Sequence, residues 1–387
     1  MWYRSCFAAI AALVALSLSG TVPAKAQSIP KLLQGGDTEA ALKDRKNAWT
    51  VGLVGGLMEG TYMRLADDLR KALDDDDDSM RLLPIVSRGV AANVEDLLYL
   101  RNVDIAVTQA DVFEYFRTVR KIPNIESRIN YITTFPLAEV HIITRAEIKT
   151  LEDLRGKRVH FASAGSSGSL TGPIIFQRLG IEVQAVMDDI PNGNERLKNG
   201  QLDALVRVVG KPVPHVASIP SNLGFHMIPI PYSKKFSDYY TIGEFTNKDY
   251  PNLVQSDERV ETLAVPGVLA VYNWPKGSDR YRRVERFVQR LFANWQKLQK
   301  PPYHPKWRDV NFAATVTGWS RFPVAEREVE RIKENAGGAA QSESRDFQSF
   351  LSSTGSQGGV PRTQSERDAM FREFLEWRQK QGNNRAN

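Results

Sequence analysis

The chain has 387 residues, 42% of them hydrophobic and 25% charged, a composition that excludes wholesale disorder and allows two hydrophobic cores. Its formal charge is +6, from 51 basic and 45 acidic residues spread along the chain, which excludes the concentrated basic face of a nucleic-acid binder. The one cysteine is Cys6, so the rest of the chain offers no thiol, disulfide or Cys-ligated metal.

Residues Met1 to Ala26 place Arg4 ahead of an apolar run from Phe7 to Leu18, contain no acidic residue and end in Ala24-Lys25-Ala26. A short charged region, an apolar stretch and a small-x-small site predict a secretory signal peptide cleaved before Gln27. The apolar run is shorter than the ~20 residues that span a bilayer, and Cys6 lacks a lipoprotein-type context. Loss of Arg4 and Lys25 would leave 49 basic residues against 45 acidic. No later run reaches transmembrane length, so the expected location is outside the cytoplasmic membrane.

From Trp49 the chain alternates. Trp49 to Val54 reads as a strand, Gly55 to Gly60 as a glycine-rich loop, and Thr61 to Leu73 as a helix with Tyr62, Leu65, Ala66, Leu69 and Leu73 on one stripe. The five carboxylates Asp74 to Asp78 lack the alternation and glycine of a calcium loop and read as a solvated turn. Arg81 to Val86 and Val103 to Val107 are further strands, with Ser87 to Asn93 entering a helix between them. Strands alternating with helices imply a mostly parallel α/β sheet, in which ligands lie beyond the carboxyl ends of the strands. Those ends carry Thr61 and Tyr62, then Ser87, Arg88 and Asn93, then Gln109 and Asp111.

After Pro136 the alternation restarts. Val140 to Thr144 reads as a strand, and Val159 with Phe161 as a short buried one. Ser163 to Ser169 is a polar loop, and Leu170 to Leu179 a helix closed by Gly180. Asn194 to Asn199 is a short helix, and Leu202 to Val209 a strand ending at Gly210-Lys211-Pro212. Ser166, Ser167, Gly168 and Ser169 therefore lie at a helix N-terminus, where free N–H groups and the helix dipole favour an anion. An ordinary strand-to-helix turn without a ligand has the same local pattern. Two such portions suggest two lobes around a cleft.

Val260 to Tyr272 reads as two strands broken at Pro266-Gly267, and Ser278 to Gln299 as an amphipathic helix completing the first lobe. Residues 336–359 are rich in Gly, Ser and Gln and read as a flexible segment, followed by an amphipathic helix from Ser365 to Lys380.

Enzymatic readings find little support. No Walker A loop, dinucleotide-binding glycine pattern or Gly-x-Ser-x-Gly elbow occurs at Gly165-Ser166-Ser167-Gly168 or Gly168-Ser169-Leu170-Thr171-Gly172. The five histidines show no zinc-site spacing, so no metal and no cofactor is expected. A solute receptor, an exported sensor subunit and an exported enzyme are the three readings compatible with the residues. A non-enzymatic receptor is the preferred expectation.

Gly60-Thr61-Tyr62, the Ser87 to Asn93 loop, Val103 to Asp111, Val140 to Ile143, Leu151 to Val159, Ser166 to Ser169, Gly200 to Ala204 and Gly210-Lys211-Pro212 occur in this order. Together they resemble the TAXI family, the TRAP-associated extracytoplasmic solute receptors, over about Trp49 to Trp295. In this chain Ser87-Arg88-Gly89-Val90 stands where the family more usually has a Gly-Ser pair, and Lys211 where a smaller residue is common. The resemblance implies a type II periplasmic binding-protein fold. Together with the signal peptide at 1–26, this gives an expected lobe 1 at 27–135 and 233–335 and lobe 2 at 136–232, while the flexible segment and terminal helix at 336–387 lie beyond the resemblance. It implies a monomeric periplasmic receptor that closes on a small organic acid or acidic amino acid and delivers it to a TRAP-type membrane permease. The ligand site it implies comprises Thr61, Tyr62, Ser87, Asn93, Gln109, Asp111, Ser166, Ser167, Gly168, Ser169, Gly210, Lys211 and Pro212, to which the strand-end reading adds Arg88.

Overall fold

The computed structural model describes residues 38–74, 80–118, 120–353, 370 and 372–377. The signal-peptide segment and most of the Asp74 to Asp78 run lie outside the described residues. The described residues fall into two units, divided after Arg45. Helix α1 runs from Glu39 to Ala48.

The second unit opens with β1 (Thr50–Gly56), α2 (Thr61–Leu73), β2 (Arg81–Val86), α3 (Val90–Tyr99), β3 (Ile105–Gln109), α4 (Val112–Thr118) and α5 (Ile125–Arg128). In α2, Leu65, Ala66, Leu69, Ala72 and Leu73 are buried at helical spacing. Each leucine fully buried in that stripe contributes about 2 kcal/mol of hydrophobic stabilisation. Strands β2, β1 and β3 pair in that order, all parallel.

Strand β4 (Ile129–Thr144) then runs for 16 residues and carries the chain into the other half. That half holds β5 (Arg158–His160), α6 (Ser167–Leu179), β6 (Gln184–Val186), α7 (Ile190–Lys198), β7 (Ala204–Val209), α8 (Pro214–Ala217), β8 (His226–Met227) and β9 (Thr241–Thr246). Strand β10 (Arg259–Tyr272) returns. It is followed by α9 (Asp279–Ala293), α10 (Trp295–Leu298), β11 (Ser320–Arg321) and α11 (Pro323–Ser353). The sheet order is β2-β1-β3-β10-β4-β7-β5-β6, with β4 and β10 antiparallel to their neighbours at the centre.

Three sequence expectations meet a different structure. Pro136 does not separate two elements: β4 continues through it, and no ladder partner is assigned to it between Phe135, opposite Gly267, and Ala138, opposite Val265. A proline is tolerated where no ladder hydrogen bond is required of it. Pro266 likewise lies inside β10, at a register shift between Val265 and Gly267, so the two expected strands are one. The chain also regains the first half later than Tyr232. Phe245, Tyr250, Leu253, Val254 and Val260 are buried in one cluster with Ile143, Leu197, Leu205, Val213 and Val216, so residues 245–260 complete the second half.

The tail differs as well. The segment expected to be flexible from residue 336 is helical as far as Ser353, because the helix-favouring Glu, Arg and Lys make up about half of Pro323 to Asn335 and outweigh the ~1 kcal/mol cost of each of Gly337 and Gly338. Residues 372–377 are helical, and Phe374 packs its ring 5.8 Å from that of Phe350. Residues 354–369 and 378–387 lie outside the described residues.

Candidate functional site

The carboxyl ends of the parallel strands in both halves point at one cavity of about 60 Å³. At the 10–15 Å³ that one water needs by this measure, the space holds on the order of four waters. Its wall includes Gly60 and Thr61, Gly89 and Val90, and Ser166 and Ser167. These are the N-cap and first residues of α2, α3 and α6. Each is a helix of ten residues or more, and each turns its free N–H groups and positive dipole end toward the same space.

The sequence explains this convergence locally. Gly89 takes φ of 122°, and a Cβ there would lie 2.6 Å from the Ser166 Cα, so only glycine lets α3 meet α6 across the cavity. Ala91 N–H donates to the Gly165 carbonyl at 3.1 Å beside it. Ser166 caps α6 by accepting the Ser169 N–H at 3.2 Å. A Cβ on Gly168 would lie 2.7 Å from the Phe161 carbonyl oxygen, which is how closely α6 sits under β5.

The cavity also contains a cation. Arg207, on β7, is 2% exposed. Its Nη1 donates to His160 Nδ1 at 2.8 Å and to the Val206 carbonyl at 3.0 Å, and its Nη2 donates to Asn194 Oδ1 at 3.2 Å. Its Nε has no partner. Among the described residues no carboxylate forms an ion pair with it. His160 Nε2 lies 2.5 Å from Asp188 Oδ1, and Arg196 holds the other Asp188 oxygen at 2.7 Å. Burial lowers the Arg207 guanidinium to about 9, with Asp188 pulling weakly the other way. An arginine buried that deeply and left without a counter-charge implies that an anion belongs beside it.

His215 forms another part of the wall. Neither of its ring nitrogens has a partner, and burial, with Arg207 and Arg64, lowers it to about 4. It is a neutral donor and acceptor at physiological pH.

Of the residues expected from the sequence, the structure brings Thr61, Tyr62, Ser166, Ser167, Gly168 and Gly210 to the cavity wall. Thr61 Oγ1 donates to the Gly210 carbonyl at 2.8 Å, joining the two halves. Ser169 is turned into the α6 cap, its Oγ donating to the Ser166 carbonyl at 3.1 Å. The other expected residues are not on the wall. Asn93 is buried and donates to the Val107 carbonyl at 2.6 Å while accepting from Ser87. Arg88 is exposed. Gln109 supports the wall indirectly, its Nε2 lying 3.4 Å from the Tyr62 hydroxyl.

Asp111 is 1% exposed and accepts from Thr171 at 2.7 Å and Tyr240 at 3.0 Å, a tie between α6 and the end of β3. Lys211 pairs with Asp249 at 2.9 Å and the Glu244 carbonyl at 2.5 Å, and Pro212 is exposed. These contacts are structural: each side chain is already engaged or faces solvent. Sequence reasoning missed Arg207, His215, Ile190 and the Gly55-Gly56-Leu57 turn. The signal for Arg207 was present, a lone charge inside the apolar strand Ala204–Val209.

Two α/β halves, strand order β2-β1-β3-β10-β4 in the first, two crossings through the central strands and a cavity at the helix N-termini define the class: this is the type II periplasmic binding-protein fold. The chain belongs to the NMT1-like family, which matches residues 54–315. Among solved structures it is similar to the alkanesulfonate-binding protein SsuA from Xanthomonas axonopodis pv. citri bound to MOPS. The identity there is 12%, over 73% of this chain and 83% of that one, with a TM-score of 0.42. It is also similar to the amino acid ABC transporter substrate-binding protein AbpA from Streptococcus pneumoniae bound to L-arginine. There the identity is 13%, over 65% of this chain and 92% of that one, with a TM-score of 0.37. Among the described residues no helix is long and apolar enough to cross a membrane, and no cluster of acidic, His or Cys side chains could hold a metal.

Proposed function

We propose that this protein is an exported, periplasmic solute receptor that captures a small organic acid between the two halves of its sheet and hands it to a TRAP-type membrane permease. The observation that carries the reading is Arg207, a buried cation without an ion-pair partner among the described residues, on the wall of a cavity ringed by three helix N-termini. The cavity wall has no carboxylate to receive an ammonium group, which favours an organic acid over an acidic amino acid. The leader pattern at Met1 to Ala26 supports export, and the ordered motifs shared with TAXI receptors support the permease class. A receptor working near 1 μM needs about −8 kcal/mol. Three or four charge-assisted hydrogen bonds at about 1.5–3 kcal/mol each are of that order.

Thermal-shift screening of organic acids, amino acids and neutral solutes tests this, followed by small-angle scattering with the best hit. The expected result is stabilisation by acids and a smaller radius of gyration when bound, as contacts to both halves form together. Preference for a neutral or cationic solute, or chemical turnover of the hit, defeats the reading.

A further inference from the structure

The cavity does not end at His215. On the far side of that ring lies a second space of about 320 Å³, and the two share Ile190 and His215 as a common wall. The apolar lining of the groove comes from Pro191, Leu205, Ile219, Pro220 and Phe225, while Glu59, Glu195 and Lys198 stand exposed at its rim. Resting on the anion-receptor reading above, we propose that the ligand has two parts: an anionic head in the Arg207 cavity and a hydrocarbon tail that passes His215 into this groove.

Three observations carry it. The head cavity, with room for on the order of four waters, accommodates a carboxylate or sulfonate group and little more, so any larger acid must extend out of it. The adjoining space is several times larger, and Leu197, Leu205, Ile219 and Phe225 give it an apolar floor for a chain of methylenes or a ring, beside the polar Asn194 and Ser218. The partition is Ile190 and His215, and the two ring nitrogens of His215 bond to nothing, so no side-chain hydrogen bond is lost if that ring swings aside. Burial keeps that ring neutral, so the tail meets no charge on its way.

The ligand class is then an organic monoacid or sulfonate with an aliphatic or aromatic tail, not a compact diacid. Calorimetric titration of the full chain with linear sulfonates of one to eight carbons tests it. Affinity is expected to rise about three- to fourfold per methylene once the tail enters the groove, and to level off when the groove is full. Ser218→Trp, a change on the exposed side of the groove, is expected to weaken the long members at least tenfold and leave methanesulfonate unchanged. Binding that is independent of length in the wild type, or unaffected for long members by Ser218→Trp, overturns this proposal while leaving the anion reading intact. If no member of the series binds, the anion reading fails and this proposal fails with it.

Discussion

Arg207 Nη1 lies 2.8 Å from His160 Nδ1, and that contact fixes the tautomer of the histidine. Arginine only donates, so Nδ1 must be the accepting nitrogen and Nε2 must carry the proton that reaches Asp188. Nη1 uses both of its N–H groups and Nη2 one of its two, while the buried Nε has no protein partner. The Asp188 carboxylate is penalised by burial but held below the usual range by Arg196 and His160. The whole relay therefore keeps its charges in place without spending the free donor.

Arg207→Met is expected to weaken anion binding by about 10- to 100-fold, the loss of one charge-assisted hydrogen bond and its field, ~1.5–3 kcal/mol. The ligand-free protein should change stability by only about 1 kcal/mol. Removing an unpaired buried cation is favourable, and stranding His160 and Asn194 offsets it. Calorimetry and thermal unfolding read the two quantities separately; unchanged affinity would mean the anion lies elsewhere.

Gly89→Ala addresses the meeting of the halves. The added Cβ would sit 2.6 Å from Ser166 Cα and 2.8 Å from the Gly165 carbonyl oxygen, on a residue with φ of 122°. Strain of about 1–3 kcal/mol is expected, borne where α3 approaches α6. Affinity should fall at least tenfold, and scattering should show less compaction on binding. Full compaction in the variant would show that this contact does not gate closure.

Much of the fold was legible because its signals are local. Periodic leucines along α2 and strand-length apolar runs at β1 and β3 place these elements with little help from the rest of the chain. The crossings were harder. Pro136 and Pro266 punctuate the sequence as breaks, yet each sits inside a long central strand because neither is required to donate a ladder hydrogen bond. Phe245 and Val260 join the second core only through tertiary packing. In the site, glycine and serine positions at helix starts were readable, whereas Asn93, Asp111 and Lys211 carry the same polarity as ligand residues but are taken up by protein partners. Arg207 was hidden by the reverse problem. Its strand pattern read as core, and only the fold brings it to the end of α6.

Asp111 gives the protein a pH signature. Burial raises its carboxyl above the ordinary range, against the lowering influence of Thr171 and Tyr240. An acid whose folded value is raised binds its proton more tightly when folded. Its contribution to stability is therefore fully present below about 4, the unfolded value, and is lost as pH rises through the raised one. Asp111→Asn keeps an oxygen to accept both hydroxyls and removes the buried charge. Its melting temperature at pH 7 should equal or exceed that of the wild type, with the difference vanishing toward pH 4. A variant less stable at every pH would contradict this.

The last expectation concerns the crossing itself. Lys306 is 6% exposed and its Nζ lies 2.5 Å from Glu139 Oε1 and 3.1 Å from the Leu137 carbonyl, while Glu139 Oε2 accepts the Lys211 N–H at 2.9 Å. Glu139 stands on β4 where its pairing passes from β10 to β7. The lysine stem runs 3.2 Å from where a Cβ on Gly210 would be, so this pair backs the cavity wall. Burial raises the Glu139 carboxyl even though Lys306 pulls it down.

Lys306→Met should therefore cost about 3–5 kcal/mol near neutral pH, because it leaves a buried carboxylate without its cation. The deficit should shrink as the solution is acidified and Glu139 takes up a proton. Lys306→Met combined with Glu139→Gln should recover most of the loss, since the amide oxygen can still accept from Lys211 and no charge is left to neutralise. Urea unfolding of both singles and the double at pH 5 and pH 7 closes the cycle. A Lys306→Met penalty of 1 kcal/mol or less, as at ~1 kcal/mol for surface pairs, would show that the carboxylate finds water and that the crossing is not sealed by this pair.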